Sequence, residues 1–213
     1  MALNFANNNS LSAITTQPSG LSGGALNLIK TITANSASTV SFVHGSSDVI
    51  FDSTYSIYVL KIINAHLDLD DRQITFNFTT DGTNFNVTKT TTNFRSTHDE
   101  ADTGGNTGLS YRTNNDLAQS TSNQGLGEAL LGGSSGGADG NLGAEIFIFN
   151  PSSTTFVKHF IGRSTAVTAG SACEDVYVGG YCNTTSAITG IKFSTAGGSA
   201  TTIDGIFKLY GIS

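Results

Sequence analysis

Residues Ile74 to Thr79 read ITFNFT. On an extended chain Ile74, Phe76 and Phe78 fall on one side and Thr75, Asn77 and Thr79 on the other, the period of two that marks a strand buried on one face. The residues that follow, TDGTNF, place Asp81-Gly82 where a hairpin turn belongs. The same pattern continues outward in both directions from about Ala25, as short β-branched and aromatic runs broken by Gly, Asn, Ser and Asp. YSIYVLKII (Tyr55 to Ile63) and EIFIFN (Glu145 to Asn150) are apolar on both faces. They read as central strands, covered on one side by a second sheet and on the other by loops or a neighbouring chain. For Tyr58, Leu60 and Ile62 we expect that second cover to be another copy of the protein.

TTFVKHFIG (Thr154 to Gly162), the run beginning at Ile188 and the final run GIFKLYGIS (Gly205 to Ser213) add further strands. The total is roughly eight to ten, with less than about 10% helix. Phe76 and Phe193 are expected in the core, and the last run is expected inside a sheet or beside a neighbour. The fold class expected is all-β: a two-sheet antiparallel sandwich, jelly-roll-like, with an extended N-terminal arm.

Two stretches stand apart from this pattern. Residues 1–24 space Leu3, Phe5, Leu11 and Ile14 among Asn, Ser and Gly, too polar for a core yet supplied with apolar hooks, which describes an arm that lies along something else. The sandwich domain is then 25–213. Within it, residues 97–143 loosen into HDEADTGGNTG, TNNDLAQSTSNQG and GGSSGGADG, a long irregular excursion in which LGEALL (Leu126 to Leu131) has the makings of a short helical turn.

Composition narrows the function classes. Only 12% of the 213 residues are Asp, Glu, Lys or Arg, about half the usual share, so the surface is rich in hydroxyls and amides rather than ions. A net charge of −6 and a pI near 4.9, with ten basic residues and no basic run, argue against nucleic acid as a partner. No apolar run is long enough for a membrane helix, and MALNFANNNS has no signal-peptide character. Cys173 and Cys182 are the only cysteines. Their spacing would set two hairpin strands opposite one another, but free thiols are the expectation over a bridge.

Catalytic and metal constellations are weak. Asp102-Thr103-Gly104 spells the aspartic-protease triplet, which needs a second copy to form its carboxylate pair, and it stands alone in a Gly/Asn-rich loop. His66, Asp68, Asp70 and Asp71 offer oxygen-type calcium ligands but no EF-hand glycine or distal glutamate. They read as a solvated strand end, and His98, Asp99 and Glu100 as an exposed loop. His159 alternates with Val157 and Ile161 and is expected at the edge of the core. The glycosylation triplets at Asn8, Asn77, Asn86 and Asn183 are what an Asn/Thr-rich chain produces by chance. We expect no enzyme, no cofactor and no metal.

NPSSTTFVKHFIGR (Asn150 to Arg163), CNTTSAITGIKFSTAGG (Cys182 to Gly198) and GIFKLYGIS resemble the C-terminal half of a virion-protein family of tailed bacteriophages, of the marine and cyanobacterial type. The resemblance extends more weakly through LIKTITANSASTVSF, TYSIYVLKIINAH and ITFNFTTDGTNF, leaving out the arm and Thr97 to Gly143. Each motif is also plain strand-and-turn chemistry: Pro151 caps a strand, Gly197-Gly198 turns a hairpin, and Gly211 lets the last strand bend.

The resemblance implies a β-sandwich structural protein of the virion with no catalytic residue. With the arm added, the expectation is a capsid decoration (cement) protein, a homotrimer assembled in the host cytoplasm and placed on the capsid surface. Its partners would be the major capsid protein and copies of itself, with Leu3, Phe5, Leu11 and Ile14 making the contact. The alternative is a tail or fibre-associated module that binds host-surface glycans through Asn/Thr/Ser-rich loop tips.

Overall fold

The computed structural model describes residues 25–105, 107–127, 139–196 and 201–212. Among them are twelve strands and no helix: β1 (Leu26–Ala37), β2 (Val40–Val43), β3 (Ile57–Leu67), β4 (Gln73–Thr79), β5 (Lys89–Asp99), β6 (Gly108–Tyr111), β7 (Gln124–Gly125), β8 (Leu142–Phe149), β9 (Lys158–Val167), β10 (Ala172–Cys182), β11 (Gly190–Ala196) and β12 (Ile203–Ile212). They form an eight-stranded sheet in the order β1-β12-β3-β8-β9-β10-β5-β6 and a four-stranded sheet in the order β2-β11-β4-β7.

The wiring has a simple logic. β1 pairs with β12, β2 with β11, β3 with β8 and β4 with β7, all antiparallel. Four nested pairs of this kind are one long hairpin, and it closes when β12 also pairs with β3 and β11 with β4. That is the jelly roll, two sheets built by rolling a single hairpin on itself. The remaining strands are two insertions. β5 and β6 enter between β4 and β7, β9 and β10 enter between β8 and β11, and together they widen one sheet to eight. β12, the last run of the sequence, lies inside that sheet between β1 and β3, as expected.

The core between the sheets is apolar and aromatic. Phe76 and Phe78 of β4 meet Phe160 of β9 at ring separations of 5.6 and 5.2 Å, and Phe193 of β11 meets Phe207 of β12 at 5.3 Å, so the two sheets interlock through rings. Phe76 and Phe193 are fully buried.

Several local readings change. Tyr58, Leu60 and Ile62 face inward, at 0%, 0% and 3% exposure, into the chain's own core, where Phe51 stacks on the Tyr58 ring at 4.7 Å, so they give no reason for a second copy. Asp81-Gly82 does turn the chain, with Gly82 at φ 77°, but β4 and β5 belong to different sheets and form no hairpin. Asp81 accepts hydrogen bonds from the side chain and backbone N–H of Asn84, the backbone N–H of Thr83 and the Thr79 hydroxyl, which hold its carboxyl well below the usual range and fix the turn.

Cys173 and Cys182 lie on the single strand β10, pointing to opposite faces about 30 Å apart, and both are free thiols. Gly211 serves packing rather than a bend: a Cβ there would stand 2.2 Å from the ring of Tyr55. Gly197-Gly198 falls outside the described residues. Residues 97–143 include the end of β5 and the short strands β6 and β7, and Leu126, where a helical turn was expected, is a buried core residue outside any helix.

Phe76 touches Phe78, Phe160 and Phe193. Phe76→Ala is expected to cost about 3–5 kcal/mol, read as a shift of the chemical-denaturation midpoint, and Phe76→Asp to abolish soluble expression by burying an unpaired charge.

Candidate functional site

The outward face of the eight-stranded sheet carries side chains that the core does not use. Register places Leu28 of β1, Tyr210 of β12, Val59 of β3, Phe147 of β8 and Ile161 of β9 side by side in one transverse row. Leu28 and Ile161 are 55% and 51% exposed, while Val59, flanked on both sides by aromatic neighbours, is buried. A second row sets Leu26, Ile212 and Ile57 beside Phe149. Cross-strand neighbours of this kind touch one another, and together they make a continuous apolar surface of the sort that marks an interaction site.

A third row bounds the patch. It runs through Lys208, Lys61, Glu145, Arg163, Tyr177, Phe94 and Tyr111, across seven strands. Lys61 and Glu145 pair at 3.7 Å. Arg163 donates two hydrogen bonds to Asp175, at 3.0 and 2.8 Å, and lies 4.9 Å over the Tyr177 ring, which stacks on Phe94 at 4.9 Å and 7°. The rings stand off the sheet in a ladder, and the guanidinium closes one end.

Where the first row crosses β10 it meets Gly179, with Ile161 on one flank and Thr92 on the other. The missing side chain leaves a groove of about 380 Å³, lined by His159 and Ile161 from β9, Thr90 and Thr92 from β5, and Tyr181 two residues further along β10. No carboxylate, ammonium or guanidinium lines it.

The other candidates fare as follows. Leu3, Phe5, Leu11 and Ile14 lie outside the described residues. Asp102-Thr103-Gly104 is a surface loop folded around Asp99, whose carboxylate accepts from Thr103 N–H and hydroxyl and from Gly105 N–H. His66 is engaged by the Gly140 carbonyl at 2.6 Å and Asp68 by Thr202 N–H at 2.8 Å, so two of the four calcium candidates hold loops in place. Among the described residues no three His, Cys, Asp or Glu side chains are grouped to hold a metal. His159 is exposed on the outward face, its ring 5.9 Å from that of Tyr181, rather than at the core edge. Asn77 is buried, which removes it as a glycan acceptor.

Sequence reasoning missed the buried polar groups on the inward side of β5, β9 and β10. Lys89 and Lys158 flank Cys182 in register, and all three are buried. Lys89 donates to Asn77 Oδ1 at 2.7 Å and to the Val87 carbonyl at 2.9 Å. Lys158 donates to the carbonyls of Ser153, Phe156 and Thr184, tying two loops together. Burial weakens the proton affinity of both lysines, bringing Lys89 down to about 8, and pushes the Cys182 thiol up to about 12. Further along, Glu174 is buried and pairs with Arg95 at 3.3 Å.

The depressed Lys89 has a sign that can be tested. Between pH 8 and 10.5 the unfolded chain holds a proton on this residue that the folded chain has released, so its contribution to stability rises with pH across that window. The full span is roughly 3 kcal/mol, from about 1.4 kcal/mol per tenfold change in proton affinity. The Cys182 thiol works in the opposite direction above pH 9. Comparing wild type with Lys89→Met isolates the lysine: the deficit of the variant in melting temperature is expected to widen from pH 7.5 to pH 9. A deficit independent of pH would remove the assignment.

Comparison of the chain with protein-family models, with curated proteins and with solved structures finds no match.

Proposed function

We propose that this chain is a non-enzymatic structural protein of a bacteriophage virion, a capsid decoration protein that binds the assembled shell. The observation that carries the reading is the position of β1, the strand that follows the N-terminal segment, at the border of the outward apolar face. β1 is an edge strand. Its first residues, Leu26 and Leu28, are exposed at the border of the apolar rows. The strand to which residues 1–24 lead therefore lies at a rim, beside a surface suited to contact. The resemblance of the strand motifs to tailed-phage virion proteins supports the same class.

In this reading Leu3, Phe5, Leu11 and Ile14 grip the major capsid protein, and each large side chain that becomes fully buried contributes about 1.5–3 kcal/mol before the ordering entropy of the segment is subtracted. Self-association into a trimer uses the outward face around Leu28 and Phe147. A second reading, a tail or fibre-associated module that binds host-surface glycans, is favoured by one observation, the uncharged groove over Gly179.

Deleting residues 1–20 tests the first reading. The truncated protein is expected to keep its melting temperature within a few degrees, while binding to undecorated heads, measured by co-sedimentation and counting of bound copies, falls about a hundredfold or more. Undiminished binding rejects the grip model.

A further inference from the structure

β10 contains two adjacent glycines, and only one of them has a reason within the fold. A Cβ on Gly180 would stand 2.6 Å from Thr91 Cγ2 and 2.9 Å from the Phe160 ring, so the inward face excludes any side chain there. A Cβ on Gly179 would meet nothing closer than Thr92 Cγ2 at 3.9 Å. Gly179 is not among the positive-φ residues. Its pairing with Ile161 and Thr92 lies within an unbroken register on both flanks, so it forms no bulge. A glycine inside a strand lowers stability. With packing, turn and bulge set aside, what remains is a place where another molecule comes close to the backbone.

We propose that the groove over Gly179 is a binding subsite for a neutral saccharide. Three features select that ligand class. The lining carries no formally charged side chain of acid, lysine or arginine, so an anionic or cationic ligand gains nothing there. The groove lies on a sheet face whose backbone groups are already paired with β9 and β5, which excludes a peptide adding as a strand. Its walls are amphipathic: Ile161 and the rings of His159 and Tyr181 offer apolar surface to the C–H face of a pyranose, and Thr92, His159 and Tyr181 offer hydrogen-bonding atoms to its hydroxyls. The volume of about 380 Å³ lies at the small end of ligand clefts, room for roughly one or two sugar rings.

This inference deepens the glycan reading above and rests on it only for the class of ligand. It does not depend on where in a virion the domain sits, and its failure leaves the co-sedimentation result untouched.

The test uses the full chain and an immobilised panel of oligosaccharides built from hexoses, N-acetylhexosamines and 6-deoxyhexoses, beside sialylated and uronic-acid-bearing ones. Wild type is expected to bind at least one neutral member. Gly179→Val, which fills the groove without touching the core, and Tyr181→Ala are each expected to weaken that binding at least tenfold at an unchanged melting temperature. Tyr111→Ala, outside the groove, is expected to leave binding unchanged. If Gly179→Val fails to fold, Tyr181→Ala and Thr92→Val carry the test. Binding to no neutral saccharide, preference for the anionic members, or unaltered binding by the groove variants overturns the proposal. So does a self-associated wild type that Gly179→Val dissociates, which would make the groove an interface between copies.

Discussion

Two sheets of unequal width share one core, and most of the architecture follows from that mismatch. Strands in a sheet are spaced by about 4.8 Å, so a four-stranded layer covers roughly half of an eight-stranded one. Over the covered half, β3, β12, β8 and β9 turn Phe, Leu and Ile inward against Phe76, Phe78 and Phe193. Beyond it, β5 and β10 turn Lys89, Thr91, Asn93 and Glu174 inward, and the connection leading to β7 closes over part of them: Thr91 donates to Gln124, Gln124 to the Asn115 carbonyl, and Leu117 N–H to Thr91. The fold meets the cost of burying Lys89, Thr91 and Glu174 by hydrogen bonding, a narrower solution than apolar packing because each donor and acceptor must be met individually, and the Asn93 amide, buried without a hydrogen-bond partner among the described residues, is where it falls short.

The legibility of the sequence followed the same division. ITFNFT could be read because Ile74, Phe76 and Phe78 alternate with Thr75, Asn77 and Thr79 and period two survives in such a strand, yet the polar face, expected to be solvated, is buried as well, at 2%, 1% and 0% exposure. β5, KTTTNFRSTHD, could not, since its inward residues Lys89, Thr91, Asn93 and Arg95 look like a solvated face until their partners, distant in sequence, are placed over them. YSIYVLKII failed differently: apolar on both sides, it signalled burial correctly but could not show which side faced the core, and the alternation ran opposite to the interface expected of it. The groove was hidden for a third reason. In VYVGGY the aromatics and glycines are plain to see, but which glycine faces outward depends on the pairing register with β9 and β5.

The outward face has an order of its own. Its apolar rows lie toward β1 and its aromatic ladder toward β6, with the two Gly179 neighbours Ile161 and Thr92 marking the boundary between them. A large partner surface and a small ligand would therefore occupy adjoining territory on one sheet. Contact through Leu28 and Phe147 would leave the groove open, whereas contact extending past Ile161 would close it. A change at Thr92 is thus better placed than one at Ile161 to alter the groove alone.

The nested pairing also bears on how the chain reaches this structure. Leu26 is hydrogen-bonded opposite Ile212, so β1 has no partner until nearly all of the intervening chain has been made. Among the described residues only β9 with β10 is a hairpin of neighbouring long strands with a short connection, through Thr168 to Ser171. Topologies dominated by such distant contacts fold in roughly milliseconds to seconds rather than microseconds. During synthesis, then, the inserted hairpin is the element able to form early, and the sheet edge next to the N-terminal segment is the last to be completed.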